Sequence, residues 1–356
     1  MAAMPRPHRL SGLLRLCDPF VVLLLGTVAL AALLPARGPA AEAVGTCAQV
    51  GVGLLFFLYG TRLAPREAVA GLRHWRLHLT VLACTFALFP LLGLAAGPLV
   101  PHVLTEELWH GLLFLCVVPS TVQSSIAFTS VARGNVPAAI CAGTYSGLLG
   151  IVLTPLLAGV LIGTTTGFSA HGLSALGTQL LGPFLAGQLL RRHVGRLVSR
   201  ISRVSRLRGA TALVDRGVIL LVVYAAFSRG VTDGVWRELT PGRLAALGAS
   251  EAVLLAVMLT LTAWGSRALG FAREDRIAIM FAGSKKSLAA GLPMAAVLFG
   301  PDAALAVLPL MLFHQLQLVV CAVLARRLAR TAPPGPGTPR TGAAQPPGST
   351  RRASPV

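Results

Sequence analysis

Ten separate apolar runs, each near or above the ~17–25 residues that cross a hydrocarbon layer, limit this chain more than any other feature of its sequence. They fall at 19–35, 44–61, 78–97, 108–131, 135–162, 172–190, 211–228, 244–265, 275–299 and 303–325. Inside a bilayer each backbone N–H and C=O must find a partner without water, and a helix supplies those partners within one segment. The runs therefore predict an all-α polytopic membrane protein of ten transmembrane helices. Composition agrees: 54% of residues are hydrophobic and only 12% charged, against about 25% charged in an ordinary soluble chain.

The net charge of +19 does not point to nucleic acid, which needs basic residues clustered on a folded, solvated face. Here they sit in the short gaps between apolar runs. With the N-terminus inside, 24 arginines fall in cytoplasmic segments, whereas only Arg37, Arg229, Arg237 and Arg243 fall outside. That asymmetry orients the bundle with both termini cytoplasmic, and the expected location is the plasma membrane. The partners it implies are the bilayer, with its anionic inner leaflet, and a small solute. Arg6, Arg9 and Arg15 before the first run imitate a secretory signal, but Leu33 to Arg37 is a poor cleavage site, so the run reads as a retained first helix. The six cysteines are scattered singly and lack the spacing of a metal site or disulfide framework.

The basic stretch Arg191–Arg208 lies midway along the chain. It reads as an orientation signal held at the anionic leaflet, where each basic residue gains about 1 kcal/mol. The layout is then an N-terminal segment, 1–18, five helices in 19–163, five in 164–330, and a tail, 331–356. The tail is rich in Pro and Gly and has no apolar periodicity, which is the composition of disorder.

Two runs carry residues that a spanning helix normally avoids. In the fourth, seven polar residues occupy the twelve positions from Pro119 to Ser130, among them Ser120, Thr121, Gln123, Ser124 and Ser125. Pro119 lacks a backbone donor and frees a carbonyl, and the hydroxyls and amide that follow can line a cavity or hold an ion. In the ninth, Ser284, Lys285, Lys286 and Ser287 lie about ten residues in, roughly half a bilayer deep at 1.5 Å per residue. An ammonium there costs at least about 2.5–3.5 kcal/mol on insertion scales, so the lysines are expected to face a wet cavity or a partner rather than snorkel. They are the only lysines among 31 basic residues. Unlike a guanidinium, an ammonium can lose its proton. Lys285 or Lys286 can thus bind an anion, stand in for a bound cation, or carry a coupling proton. His314, Gln315 and Gln317 in the tenth run and Glu251 in the eighth are lesser candidates. Thr144, Tyr145 and Ser146 in the fifth would lie beside the fourth-run break if those helices pack together.

Both interrupted runs are fourth in their half. Transporters built from two inverted repeats have this plan, with discontinuous helices meeting at a midplane site.

These motifs resemble the bile acid:sodium symporter family, in the branch typified by its seventh member. The resemblance rests on Pro119–Asn135 (PSTVQSSIAFTSVARGN), Leu153–Leu157 (LTPLL), Gly283–Leu288 (GSKKSL) with Gly291 and Pro293, and Phe313–Leu318 (FHQLQL). It implies two inverted five-helix repeats arranged as a panel of helices one, two, six and seven and a core of three to five and eight to ten. Broken helices four and nine would cross in the core, and substrate would bind between panel and core. Sodium-coupled members hold Na+ with hydroxyls and amides of helices four and five and a carboxylate of helix nine. Here no Asp or Glu follows Arg276 in the ninth run, and Phe281 lies where that acid is expected. Ser124, Ser125 and Thr144 keep oxygens that can ligate Na+.

The sequence thus predicts a secondary transporter of a small organic, anionic solute, coupled to Na+ or H+, with no other cofactor. A non-transporting regulator of another membrane protein is the alternative. An intramembrane enzyme would need a nucleophile paired with a base or metal-ligand spacing, and neither is found.

Overall fold

The computed structural model describes residues 19–62, 74–163, 177–191, 210–234, 240–299 and 303–331. The segment 1–18, the Arg191–Arg208 loop beyond residue 191, and the tail beyond residue 331 lie outside the described residues. Those described form helices joined by short turns, with no strand among them.

In chain order the helices are α1 Pro19–Leu33, α2 Pro39–Arg62, α3 Trp75–Ala83, α4 Phe89–Ala95, α5 Glu106–Val117, α6 Val122–Val131, α7 Val136–Ala158, α8 182–191, α9 Ala210–Thr232, α10 Pro241–Ala268, α11 Arg273–Gly283, α12 Leu288–Phe299 and α13 Ala303–Arg330. A π-turn, Cys84–Leu88, joins α3 to α4. Further π-turns, Gly159–Gly163 and Gly177–Leu181, follow α7 and precede α8. Among the described residues, five continuous stretches are long and apolar enough to cross a membrane: Pro39–Thr61, Trp75–Leu99, Val136–Gly163, Pro241–Ala268 and Ala303–Arg330. The pair α5 and α6 makes a sixth, bent by 64°. Large apolar side chains on the outside, such as Val160 (74% exposed) and Trp264 (70%), would be costly in water and suit a lipid exterior. The protein is a multi-pass membrane protein.

Local chemistry sets the helix ends. Thr105 caps α5 by accepting from the Leu108 N–H, with Glu106 and Glu107 in the first turn, where carboxylates favour the positive end of the dipole. Asn135 caps α7 through Oδ1 and the Ala138 N–H at 3.0 Å. Its amide Nδ2 donates to Asp275 at 2.7 Å, and its backbone N–H donates to the Glu274 carbonyl. The start of α7 is thereby tied to the start of α11.

Two packing groups follow. Helix α9 lies against α1 and α2. The α2–α8 contact is close because Gly60 and Gly187 face each other's backbone: a methyl on Gly60 would overlap the Phe184 carbonyl, and one on Gly187 the Phe57 carbonyl. The other group gathers α5 with α13, α10 with α11 and α13, and α6 with α7. The second half of the ninth run, α12, touches both groups, packing on α9 and α13.

Candidate functional site

The fourth run breaks between Val117 and Val122, as its Pro119 and polar turn predict. The carbonyls of residues 116 to 119 lose their helical donors there, and three groups from elsewhere take them up. The Ser120 N–H, which would have closed onto Cys116, donates instead to Ser146 Oγ on α7 at 2.9 Å. Lys286 Nζ takes the Cys116 carbonyl, Thr154 Oγ1 the Val117 carbonyl at 2.8 Å, Lys286 Nζ the Val118 carbonyl, and the Ser287 N–H the Pro119 carbonyl at 2.9 Å. Span five therefore does brace the break, through Ser146 and Thr154.

The ninth run breaks between Gly283 and Leu288, and its exposed carbonyls are met from the fourth. Ser120 Oγ donates to the Ala282 carbonyl and Ser125 Oγ to that of Phe281 at 3.1 Å. Ser284 Oγ turns back on Met280 of its own helix, and Ser287 Oγ accepts from the Ala290 N–H to start α12. The two breaks are thus in direct hydrogen-bonded contact. Glycines let neighbouring helices close on the breaks: a Cβ on Gly150 of α7 would press into Pro119, and one on Gly283 into Cys84 and Thr262.

The two lysines, both fully buried, differ sharply in their surroundings. Lys286 Nζ donates to three backbone carbonyls, those of Thr85 (2.9 Å), Cys116 (2.6 Å) and Val118 (2.9 Å), and sits 4.1 Å from the centre of the Phe89 ring. Charge-assisted hydrogen bonds contribute about 1.5–3 kcal/mol each, and a desolvated cation–π contact about 2 kcal/mol. Together these exceed the insertion cost of a mid-bilayer ammonium. Its peptide is also clamped: Gln317 Oε1 accepts from the Lys286 N–H at 2.9 Å, while Gln317 Nε2 donates to the Lys286 carbonyl at 2.8 Å.

Lys285 Nζ has one hydrogen bond among the described residues, to Ser124 Oγ at 3.2 Å. Two aromatic faces also flank it, Phe128 at 4.5 Å and Phe281 at 5.6 Å. Three donors and one acceptor leave this ammonium with capacity for an incoming oxygen or anion. Phe281, noted as standing where an acid is expected, forms part of its wall.

Of the other residues singled out from sequence, Ser120, Ser124, Ser125, Ser284 and Ser287 come together at the crossing. Thr121 is half-buried and opens α6, while Gln123 is exposed. Thr144 Oγ1 donates within its own helix to the Ile140 carbonyl, so Ser124, Ser125 and Thr144 are each engaged with a different partner. Gln315 is half-buried on α13; His314 Nδ1 lies 2.9 Å from Gln317 Nε2, which joins it to the Lys286 clamp. Glu251 is buried on α10, and neither carboxyl oxygen has a hydrogen-bond partner among the described residues.

The Thr85 carbonyl was not singled out, although the sequence held its signal. In the π-turn the Phe89 N–H bonds the Cys84 carbonyl, so the next donor in that register is residue 90. Pro90 has no N–H, and Thr85 is left free for Lys286.

Comparison with known proteins decides what kind of molecule carries this crossing. The profile of the SBF-like CPA transporter family matches residues 18–330. The chain belongs to the SBF-like CPA transporter family. It is therefore a membrane transporter and not an enzyme. An uncharacterised protein of Pseudomonas aeruginosa is 53% identical over 317 residues, covering 88% of this chain and 93% of that protein. The putative symporter YfeH of Escherichia coli is 44% identical, covering 89% and 95%. Sodium/bile acid cotransporter 7 of Danio rerio is 28% identical over 284 residues, 78% of this chain and 83% of its own length. The resemblance to the bile acid:sodium symporters read from the sequence thus stands, and both breaks lie within the family match.

Proposed function

We propose that this family member is a secondary active transporter of a small organic anion, working by alternating access at the plasma membrane, with both termini cytoplasmic. The observation that carries the reading is the crossing itself: two interrupted helices in contact, with one incompletely coordinated ammonium, Lys285, beside Ser124. Such a group attracts an anion and, in a desolvated place, favours it by charge. Ser120, Ser124, Ser125, Ser284 and Ser287 supply oxygens at the crossing, with Thr121 at the start of α6, His314 and Gln315 on the neighbouring helix, and the more peripheral Gln123 and Thr144 as candidate ligands once the groups move.

The packing supports a moving division. α1, α2, α8 and α9 would form a panel, and α3–α7 with α10–α13 a core, related as two inverted halves, 19–163 and 164–330. Rocking of one group against the other would expose the crossing to each side in turn, as in other transporters with discontinuous helices. The arginine asymmetry supports the orientation. The driving ion is Na+ or H+, and the names of the cotransporter 7 relatives make bile acids the first solutes to try.

The test is uptake into proteoliposomes of radiolabelled taurocholate and of short mono- and dicarboxylates, under a Na+ gradient and a proton gradient imposed separately. Accumulation of an anion under one gradient, lost in Lys285→Ala, is the expected result. Absence of gradient-driven uptake of any of them by the wild-type protein contradicts the proposal.

A further inference from the structure

We propose that the carbonyl oxygens of Thr85, Cys116 and Val118 form a monovalent-cation site that the chain fills permanently with its own Lys286 ammonium.

The site exists before the lysine enters it. Pro90 withholds the N–H that the Thr85 carbonyl would accept in the π-turn register, Ser120 turns its N–H to Ser146, and Val118 ends α5 in an extended conformation (φ −66°, ψ 144°). Three carbonyl dipoles, one from the third run and two from the fourth, therefore aim their negative ends at one point. Phe89 closes the remaining side with the negative face of its ring. Carbonyl oxygens arranged around a point are what replaces the water shell of a bare alkali cation in a filter, and an aromatic face adds to the attraction of a desolvated cation. Empty, the arrangement would bury three acceptors without partners, each an unmade hydrogen bond.

An ammonium fits this cage and a neutral amine does not. Lys286 Nζ presents three donors to three acceptors; an amine has only two N–H groups and would turn its lone pair on the third carbonyl. A guanidinium is a planar fork and cannot converge on a single point. The Gln317 clamp on the Lys286 peptide fixes the tether from which the side chain enters. Cation and cage come from different halves of the chain, so the ammonium joins runs three, four and nine at the crossing.

The consequence for the proposed transport, and the only part that rests on it, is that no ion from solution cycles through this point. The coupling ion acts elsewhere, and Lys285 is the charge left free for the solute.

The site is tested on the full-length protein in detergent, without uptake, so its failure is separate from failure of the transport reading. Thermal unfolding of wild type, Lys286→Ala and Lys286→Met is followed in choline, sodium, potassium and methylammonium chloride at equal ionic strength. Wild type should unfold at one temperature in all four. Lys286→Ala should lose about 5 °C or more in choline and regain it, saturably, with at least one of the three small cations. Lys286→Met, which fills the space without charge, should stay low in every salt. Wild-type stability of Lys286→Ala in choline, no recovery with any of the three cations, or equal recovery of Lys286→Met would overturn the proposal. Should Lys286→Ala fail to fold, wild-type protein labelled with 15Nζ-lysine decides the matter, because the chain has two lysines. One ammonium signal protected from exchange with water, and surviving in Lys285→Arg, is expected. No protected signal, or loss of the protected one in Lys285→Arg, overturns it.

Discussion

Helices α2 and α8 touch where two glycines let one backbone rest on the other, whereas α5–α6 and α11–α12 touch where both helices stop being helical. The first contact depends on shape: Gly60 and Gly187 admit no side chain between them. The second depends on polar groups, since carbonyls released by one break are bound by hydroxyls, amides and an ammonium from the other. Lipid offers no hydrophobic force to bring helices together, so close packing and satisfied polar groups are the two means available. The lesson is that the protein uses the rigid means in the group read as a panel and the exchangeable means at the crossing. Hydrogen bonds between two interrupted helices can be remade when an element moves; backbone contact at a glycine cannot be made with any other residue.

Five substitutions probe this contrast. Lys286→Met should have the largest effect on stability, since it leaves the Thr85, Cys116 and Val118 carbonyls without donors, a loss of at least ~3 kcal/mol; an unchanged unfolding temperature would mean that the crossing does not depend on its polar groups. Gly187→Ala should come next. A methyl driven against the Phe57 carbonyl forces α2 and α8 apart, costing about 1–3 kcal/mol, and Gly60→Ala should match it. Equal tolerance of alanine at both positions would show that shape does not decide that contact. Thr154→Val removes one hydrogen bond and leaves the Val117 carbonyl bare, and a loss of about 1–2 kcal/mol is expected. Lys285→Ala should be the mildest, because its single hydrogen bond to Ser124 at 3.2 Å is long. A loss as large as that of Lys286→Met would remove the distinction between the two lysines.

Much of this was legible in the sequence. The apolar runs showed where the described helices lie, because the bilayer imposes a length rule that depends on few residues. Pro119 and the Ser284–Ser287 turn marked both breaks to within a few residues, since Pro and mid-bilayer lysines are exceptional there. What the sequence did not yield were partners formed by backbone atoms. The acceptors of Lys286 are carbonyls, which every residue has, and only their lost helical donors distinguish them. Pro90 was the visible trace of one such loss. Side-chain direction was equally hidden: Gln123 and Ser124 are adjacent, yet the first is exposed and the second meets Lys285, because successive helical residues point about 100° apart. The division of labour between Lys285 and Lys286 followed the same logic, for neighbours in sequence face different surroundings at a break.

The central claim is that Lys285 provides the charge for an anionic solute while Lys286 holds the crossing together. The most direct measurement is anion uptake by proteoliposomes carrying wild type or Lys285→Ala, under an imposed Na+ or proton gradient, with both proteins shown to be folded by a cooperative unfolding transition. The account predicts gradient-driven uptake by wild type and a fall to the level of empty liposomes in the variant. Uptake by folded Lys285→Ala at the wild-type rate, with the same gradient dependence, would contradict it.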